Sequence, residues 1–223
     1  MSRPKVTQTK KRQPLSRELI MRTGITIADA DGIDSLTMRK LADALRVEAM
    51  SLYYHVKNKD ELLDGMIDLV VAEIALPSGD EDWKTAMRNR AISAHDVFGR
   101  HPWVTGLMES RPNPGPHALR YYDEVLGSLM NNGFSVAMAA HAFSAIDAYI
   151  YGFGLQEFSL PFEDEHDVKD IAKSLLEQLG QEYPNLARMI VEHALQPGYR
   201  YADEFTFGLD LILDGFERLV AAD

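Results

Sequence analysis

The sequence predicts an all-α protein, with an N-terminal three-helix helix-turn-helix domain and a larger C-terminal helical domain. Three observations predict this fold class. Apolar residues recur every three or four positions along most of the 223 residues, which is the period of an amphipathic helix. No segment has the alternating apolar and polar pattern of a half-buried strand. Two short helical runs joined by a tight turn lie inside the most basic part of the chain.

The charge distribution separates the first part of the chain from the remainder. The net charge of −11 argues by itself against a nucleic-acid partner. However, residues 1–60 hold 12 lysines and arginines against 7 acidic residues, whereas the residues after 60 hold 11 against 27. A basic segment on an acidic body indicates one polyanion-binding domain, and chance clustering is the alternative. The sequence contains no cysteine, which fits a reducing compartment, and we expect a cytoplasmic protein without a secretory leader.

The organisation begins with residues 1–14, which carry five lysines and arginines and no acid. We predict a disordered basic arm that follows DNA phosphates or serves only as a solubilising tail. We assign residues 15–61 to the helix-turn-helix DNA-binding domain. Residues 62–223 are assigned to a second, larger helical domain.

The helices of the first domain have recognisable ends. The first helix ends at Gly32, and Thr37 is a plausible N-cap of the second. After a tight connection, Glu48–His55 forms barely two turns. Asn58 followed three positions later by Glu61 indicates a capping box that starts the next helix. Six residues are expected to form the small core that fixes the angle between the two short helices: Leu41, Ala42, Leu45, Val47, Leu52 and Val56.

The second domain continues the helical pattern. A stripe at steps of four, Leu62, Met66, Val70 and Ile74, ends before Pro77. Four helices are then predicted, over Trp83–Arg100, Leu119–Met130, Phe134–Leu155 and Asp203–Ala221. His141 and Asp147 argue against a membrane span in the third of these, whose small residues suit close helix packing. The last helix carries an apolar stripe that needs a partner surface: Phe205, Leu209, Ile212, Phe216 and Leu219.

The outward residues of the helix-turn-helix are the candidate DNA-binding set. A tyrosine hydroxyl can meet a phosphate while its ring packs on sugar or a thymine methyl, and Lys59 lies at a helix N-terminus suited to a phosphate. Arg39 can reach the backbone or a guanine edge. The alternative is that Tyr53 and Tyr54 merely complete the small core. The full set is Thr37, Arg39, Ala49, Met50, Ser51, Tyr53, Tyr54, His55, Lys57 and Lys59.

The stretch LTMRKLADALRVEAMSLYYHVKNKDELLD, from Leu36 to Asp64, resembles the DNA-binding domain of the TetR family of transcriptional regulators. The resemblance continues more weakly in Trp83 with RNRA, in SRP at 110–112, in NNGFS at 131–135 and in FGLDLILDGFE at 207–217. These segments are similar to the tetracycline-repressor type of C-terminal domain. The resemblance covers nearly the whole chain from Leu15.

The resemblance implies a homodimer in which Phe134–Glu157 and Asp203–Ala221 form a four-helix bundle across a two-fold axis. Such a dimer requires a palindromic operator with half-sites roughly 34–36 Å apart. It also implies a small-molecule effector that shifts the two DNA-binding domains, with the helix 58–75 as the lever. An activator or a ligand-independent regulator of the same fold remains an alternative, because the sequence does not fix the sign of regulation.

Departures from the family pattern concern the ligand and the operator. Ala49-Met50 replaces the Gln-Pro pair of the tetracycline-binding members, so we expect a different operator. Met108 and Gln156 align with the histidine and glutamate at the drug's magnesium ion, and Ala75 with another drug-contacting histidine. A thioether and a neutral amide bind a hard cation poorly, so tetracycline–magnesium is not the expected effector, although Glu157 lies one position away.

The resemblance implies an effector site for a largely apolar organic molecule held by one or two polar groups. Arg90 or Arg111 could bind a carboxylate or phenolate. Ordinary core packing is the alternative for most of the set, but a lone Asp147 on an apolar helix favours a ligand or a partner-chain contact. The set is Arg90, Ala94, Trp103, Met108, Arg111, Tyr122, Phe143, Asp147, Tyr151 and Gln156.

Catalytic and metal sites are not expected, and no cofactor is predicted. The sequence has no phosphate-binding glycine loop or nucleophile elbow. His95 and His101 are too far apart for a one-turn metal pair, and FEDEHD at 162–167 is interpreted as a solvated loop. The remote alternative is an enzyme that uses Asp147, Glu157 and a nearby histidine in the body of the protein.

Overall fold

The computed structural model of the chain describes residues 14–79, 81–108, 111, 114–160, 171–176 and 182–221. Within these ranges the regular structure is helical and contains no strand, which confirms the predicted fold class. Residues 1–13 of the predicted basic arm and the loop at 162–167 lie outside the described residues. The helices are α1 (Arg17–Asp31), α2 (Met38–Leu45), α3 (Ala49–Leu52), α4 (Lys59–Val71), α5 (Trp83–Arg100), α6 (Trp103–Met108), α7 (Pro116–Asn131), α8 (Val136–Glu157), α9 (residues 171–176), α10 (Pro184–Met189) and α11 (Asp203–Val220).

Side-chain caps set the starts of α1 and α2 in the first compact unit, which ends at Met66. The hydroxyl of Ser16 accepts a hydrogen bond from the backbone N–H of Leu19 at 3.2 Å and so caps α1. The hydroxyl of Thr37 accepts from the N–H of Lys40 at 3.1 Å, as predicted for α2. Each cap satisfies one of the backbone donors that a helix N-terminus leaves without an intrahelical partner.

The turn between α2 and α3 occupies three residues. Arg46 ends α2 in the left-handed conformation, with φ 56° and ψ 47°, and the N–H of Val47 returns to the carbonyl of Ala42 at 3.0 Å. This αL residue reverses the chain within the few residues that a helix-turn-helix allows. The four-residue α3 is shorter than predicted, and its last carbonyl, that of Leu52, accepts from the N–H of Val56 at 3.0 Å.

The small core of the first unit follows the predicted pattern with two exceptions. Leu45 and Val47 are only partly buried, because they flank the turn rather than the junction of the helices. The fully buried side chains are Ile20, Leu36, Leu41, Leu52, Val56, Leu62 and Met66, each at 0% exposure. They come from α1 to α4 and from the connections between them, so the short α2 and α3 are held by tertiary packing rather than by their own propensity.

The second compact unit begins at Ile67. In it α5 packs against α8 and α11, and α7 packs against α8 and α5. Trp83 and Phe134 meet edge to face at 4.8 Å between ring centroids, which closes one end of this helical core. Deeply buried apolar side chains of this packing include Met87, Val97, Phe98, Val104, Val125, Leu129, Ile146, Leu209 and Leu213.

The apolar stripe predicted for the last helix is buried only in part within the single chain. Phe205 and Leu209 are buried, but the third buried residue is Leu213, four positions further on. Leu219 is 52% exposed instead of buried with them. The reason is that α11 has apolar residues on more than one face, so periodicity alone does not identify the face that packs on α5 and α8.

The helix α8 raised the question of a membrane span. Among the described residues, no helix combines the length and apolarity that crossing a bilayer requires. The small residues of α8 serve packing instead: Ala139, Ala142 and Gly154 are buried against neighbouring helices.

Candidate nucleic-acid interface and ligand site

The helix-turn-helix displays an aromatic and basic surface. Tyr54 is 88% exposed, Met50 70% and Tyr53 44%, although Leu52 between them is fully buried. The interpretation of the tyrosines as core residues therefore does not hold for Tyr54. The other predicted DNA-binding residues lie on the same short stretch, with Thr37, Arg39, Lys57 and Lys59 exposed and with Ala49, Ser51 and His55 half-buried.

The start of α4 resembles the predicted capping box, except that the Glu61 carboxylate reaches the N–H of Lys57 instead of that of the N-cap residue Asn58. The Asn58 side chain accepts from the N–H of Glu61 at 2.8 Å, and the Glu61 carboxylate accepts from the N–H of Lys57 at 2.7 Å. Arg17 of α1 donates to the same carboxylate. The Lys57 N–H first and the Arg17 guanidinium second lower the pKa of Glu61 below its usual value. This network fixes the backbone on which the exposed Lys57 and Lys59 are carried.

Two other cations of the first unit are engaged in ion pairs. Lys40 lies 2.8 Å from the carboxylate of Asp31, and Arg17 is bound to Glu61 as described above. Therefore only some of the basic residues counted in the sequence point to solvent near α3. The positive charges of the exposed Arg39, Lys57 and Lys59 are available to a ligand.

A buried polar cluster lies between α5, α7 and α8. Arg90 is fully buried, and its Nη1 donates to Asp147 Oδ1 at 2.6 Å and to the hydroxyl of Tyr121. The sequence favoured a ligand or a partner-chain contact for Asp147, but the structure pairs its carboxylate with Arg90 of the same chain, 57 residues earlier in the sequence. The Nε and Nη2 atoms of Arg90 are buried and have no hydrogen-bond partner among the described residues.

The electrostatics of this cluster follow from burial. Burial raises the pKa of Asp147, and the Arg90 guanidinium offsets only part of that effect. Burial also raises the pKa of the Tyr121 hydroxyl. The pKa of Tyr151 lies well above its usual value because of burial and then because of the charge on Asp147. These hydroxyls therefore remain protonated near neutral pH and can donate hydrogen bonds.

Aromatic rings surround the polar cluster. Tyr122 meets Tyr121 at 5.8 Å and Phe143 at 5.5 Å between ring centroids, both edge to face. Tyr151 packs on Phe98 at 5.4 Å. Tyr122, Phe143 and Tyr151 are half-buried whereas Arg90 and Asp147 are buried, so the cluster has a charged interior and a partly accessible aromatic rim.

The remaining predicted effector residues are more scattered. Ala94 and Trp103 are buried, and the Trp103 ring lies 6.3 Å from that of His101. Met108 and Arg111 are half-buried. Gln156 is exposed near the end of α8, where its amide oxygen lies 3.4 Å from the Tyr201 hydroxyl. The structure therefore brings together Arg90, Tyr122, Phe143, Asp147 and Tyr151, and it does not bring Gln156 to them.

A second polar pair joins α5 to the end of α8. His95 Nε2 lies 2.5 Å from Glu157 Oε2, and the imidazole stacks on Phe205 at 4.3 Å. In the sequence, His95 was considered by name only as a metal-binding partner of His101. Its contact with Glu157 was not predicted, because residues 62 positions apart share no local sequence pattern. Among the described residues no group of three or more potential metal ligands is present, and Glu157 is engaged by His95.

Asp68 connects α4 to α7. The sequence interpretation did not identify this residue. Its Oδ1 accepts from the N–H groups of His117 and Ala118, both at 3.0 Å. The N-cap of α7 is Gly115, which has no side chain to cap the helix, so the buried carboxylate of α4 supplies the cap. A Cβ at residue 115 would overlap that carboxylate, which is why glycine fits there. The glycine N-cap next to Pro116 is the signal that could have indicated an external cap.

A capped helix-turn-helix domain with an exposed aromatic reading surface, followed by a helical domain that encloses a polar cluster, is the organisation of DNA-binding transcriptional regulators. Two family models identify the family. The model described as bacterial regulatory proteins, tetR family, matches residues 20–66, and the model described as tetracyclin repressor-like, C-terminal domain, matches residues 76–220. The chain belongs to the TetR family of bacterial transcriptional regulators.

Individual relatives agree with this assignment. The HTH-type transcriptional repressor DrrR1 of Streptomyces coeruleorubidus is 32% identical over 217 residues, which are 93% of this chain and 79% of that protein. The class G tetracycline repressor of Vibrio anguillarum is 30% identical over 220 residues, 93% of this chain and 96% of that protein. The crystal structure of the Streptomyces coelicolor TetR family protein ActR with actinorhodin has a TM-score of 0.75 and 25% identity, covering 93% and 99% of the two chains. These relatives are regulators of transcription, so the enzyme alternative is set aside.

Proposed function

We propose that the protein is a dimeric repressor that binds a palindromic operator and is released from it by a small organic effector. The observation that carries the proposal is the exposed Met50, Tyr53 and Tyr54 surface on a capped helix-turn-helix, in a chain whose relatives are named transcriptional repressors. Such a protein acts where the bacterial chromosome is, in the cytoplasm. The alternative expectation, that Tyr53 and Tyr54 complete the small core, accounts for neither the 88% exposure of Tyr54 nor the 44% exposure of Tyr53.

In the proposed complex α3 enters the major groove, and the residues around it divide into two roles. Tyr53 and Tyr54 reach phosphates and sugars, and Met50 and Ala49 contact thymine methyl groups, because neither side chain can donate a bidentate hydrogen bond to a base. Lys57 and Lys59 bind backbone phosphates beside the N-terminus of α4, where the helix dipole also favours an anion. The remaining proposed contacts are Thr37, Arg39, Ser51 and His55.

Dimerisation is supported by apolar faces of α8 and α11 that the chain leaves exposed. On α11, Phe207 is 65% exposed and Leu211 59% exposed, one helical turn apart. The exposed positions of α8 are mostly small: Ala137, Ala140, Ser144, Ala145, Ala148 and Gly152. Since α8 and α11 pack on each other, these faces are neighbours and suit a two-fold interface made by the same patch on both subunits.

The proposed effector site is the buried cluster with its aromatic rim, formed by Arg90, Tyr122, Phe143, Asp147 and Tyr151. Ala94, Trp103, Met108 and Arg111 remain proposed contacts, whereas Gln156 lies apart from the cluster, beside Tyr201. A site of this composition suits a largely apolar organic molecule that is oriented by one or two polar groups. The structure of ActR with actinorhodin supports a small organic molecule as effector for this fold. Met108, Gln156 and the engaged Glu157 argue against tetracycline–magnesium.

The connection between effector and DNA is proposed to pass through Asp68. Tyr121 and Tyr122 of α7 touch the effector cluster, and the N-terminus of α7 is held by Asp68 of α4. The helix α4 begins at Lys59, which is a proposed phosphate contact. An effector that shifts α7 therefore acts on the helix that carries part of the DNA surface, and the coupling is reciprocal by thermodynamic necessity.

Selection of binding sequences from random duplexes tests the proposal. We expect enrichment of an inverted repeat whose half-site centres lie roughly 34–36 Å apart. Purified protein that is bound to that duplex should release it when the effector is added. Enrichment of no sequence, or of a single unrepeated half-site, would contradict the proposal. Moving the selected operator upstream or downstream of a reporter promoter separates repression from the alternatives, activation and ligand-independent regulation.

A further inference from the structure

The guanidinium nitrogens of Arg90 differ in the hydrogen bonds that they donate. Nη1 is occupied twice, by the Asp147 carboxylate at 2.6 Å and by the Tyr121 hydroxyl. Nε and Nη2 are buried without a hydrogen-bond partner in the part of the chain that the structure describes. A buried donor is costly to leave unsatisfied, and a guanidinium this deeply buried has no solvent to compensate it.

The two unsatisfied atoms lie on one edge of the guanidinium. The Nε and Nη2 hydrogens point in the same direction and form the fork that matches the two oxygens of a carboxylate. The same chain uses this edge for carboxylates elsewhere. Arg88 binds Asp210 through Nε at 2.7 Å and Nη2 at 3.3 Å, and Arg200 binds Asp203 through Nε at 3.2 Å and Nη2 at 2.6 Å.

The surroundings define the body of the molecule that this fork would bind. Tyr121 lies under the Arg90 guanidinium at 5.5 Å, and Tyr122 and Phe143 continue the aromatic wall to partly accessible positions. Tyr151 is close enough for its hydroxyl to respond to the charges of both Arg90 and Asp147. The half-buried rings of Tyr122, Phe143 and Tyr151 offer apolar contacts to an aromatic molecule, and the protonated hydroxyls add donors for its oxygens.

We infer that Arg90 binds the carboxylate of an aromatic effector in a bidentate manner through its Nε and Nη2 edge. This inference rests on the proposed effector site and names the chemical class of its ligand. A neutral carbonyl offers a single uncharged oxygen that the two donors must share, whereas a carboxylate offers each donor its own charged oxygen. Asp147 then has a distinct role, because it orients Arg90 through Nη1 and leaves the side edge free for the ligand.

The test compares aromatic acids with their neutral amides on the full-length purified protein. The probes are naphthoate and anthracenecarboxylate, each paired with its primary amide, and binding is measured by titration calorimetry. We expect each acid that binds to do so at least about tenfold more tightly than its amide, as for a charge-assisted fork. Equal affinities, or no binding of either acid, would overturn the inference.

Two lysine variants distinguish bidentate hydrogen bonding by Nε and Nη2 of Arg90 from a simple requirement for positive charge at that position. Arg90→Lys keeps the positive charge but cannot present two donors on one edge, so acid affinity should fall at least about tenfold while amide affinity stays the same. Arg88→Lys is the matched control, since Arg88 lies two positions away on α5 and its fork is already occupied by Asp210. An unchanged acid affinity in Arg90→Lys would refute the role of Arg90.

Two further measurements keep the outcome interpretable. If Arg90→Lys does not fold, a crystal structure of the wild-type protein with the tighter acid decides, and both carboxylate oxygens should lie within about 3.2 Å of Nε and Nη2. Operator binding is measured in parallel. If the protein binds an inverted repeat but only neutral compounds release it, the proposed function stands and the inference about Arg90 is overturned. If the protein binds aromatic acids but shows no operator preference, the inference about Arg90 stands and the proposed function is overturned.

Discussion

Replacing Asp68 with alanine removes the carboxylate of α4 that caps α7. Two backbone N–H groups, those of His117 and Ala118, each lose an acceptor at 3.0 Å, and Asp68 is only 7% exposed, so water does not readily replace it. Losing a helix cap costs about 0.5–2 kcal/mol, and leaving a buried donor unsatisfied costs about 1–3 kcal/mol. Allowing for the relieved desolvation of the carboxylate, we expect a loss of about 2–3 kcal/mol.

For a chain of this length that loss corresponds to a fall of about 5–10 °C in the melting temperature. Differential scanning calorimetry measures it, and Asp123→Ala, which removes an exposed carboxylate from α7 itself, is the control that should change stability by less than about 0.5 kcal/mol. A melting temperature for Asp68→Ala equal to that of the wild type would refute the capping argument. So would an equal loss in the control.

A second variant tests whether Asp68 and Gly115 occupy one space. Gly115→Ala places a Cβ against the Asp68 carboxylate and should destabilise the wild-type protein by about 1–3 kcal/mol. In the Asp68→Ala background the same change should cost less, because the carboxylate that it displaces is gone. A double-mutant cycle measures this coupling, and strict additivity of the two changes would contradict the contact.

The remaining predictions concern the DNA surface, the effector cluster and the subunit interface. Tyr53→Phe and Lys59→Ala should weaken operator binding, and Lys59→Ala should lower the slope of log affinity against log salt by about one in fluorescence anisotropy; an unchanged slope removes Lys59 from the phosphate contacts. Asp147→Asn should change the effector concentration needed for release more than effector-free operator affinity, and the reverse result would exclude it from the effector site. Leu211→Glu should convert the dimer to monomer in sedimentation equilibrium, while Leu119→Glu, an equally exposed leucine on α7, should leave it dimeric.

The first domain was predictable because its signals are local. The Thr37 and Asn58 caps act within three residues of the sequence, and both side chains accept the expected hydrogen bonds in the structure. The tight turn after α2 was also expected, although nothing in the sequence required Arg46 to adopt a positive φ of 56°. Short-range hydrogen bonding of this kind leaves a readable pattern in a single sequence.

The second domain was predictable in its helices but not in its polar contacts. Trp83–Arg100 was predicted with the bounds that the structure shows, because its apolar period is unbroken. The partnership of Arg90 with Asp147 spans 57 residues and depends on how three helices pack, so the sequence showed an isolated carboxylate instead of an ion pair. Asp68 likewise serves a helix that begins 48 residues later. Long-range polar partners have no periodicity that a single sequence reveals.

The most direct test of the account is the number of chains bound to one inverted-repeat duplex, measured by analytical ultracentrifugation of the purified protein with its selected operator. We predict that two chains bind cooperatively to the inverted repeat and that no stable complex forms with an isolated half-site at moderate ionic strength. A single chain bound equally well to the half-site, or to duplex of any sequence, would contradict it.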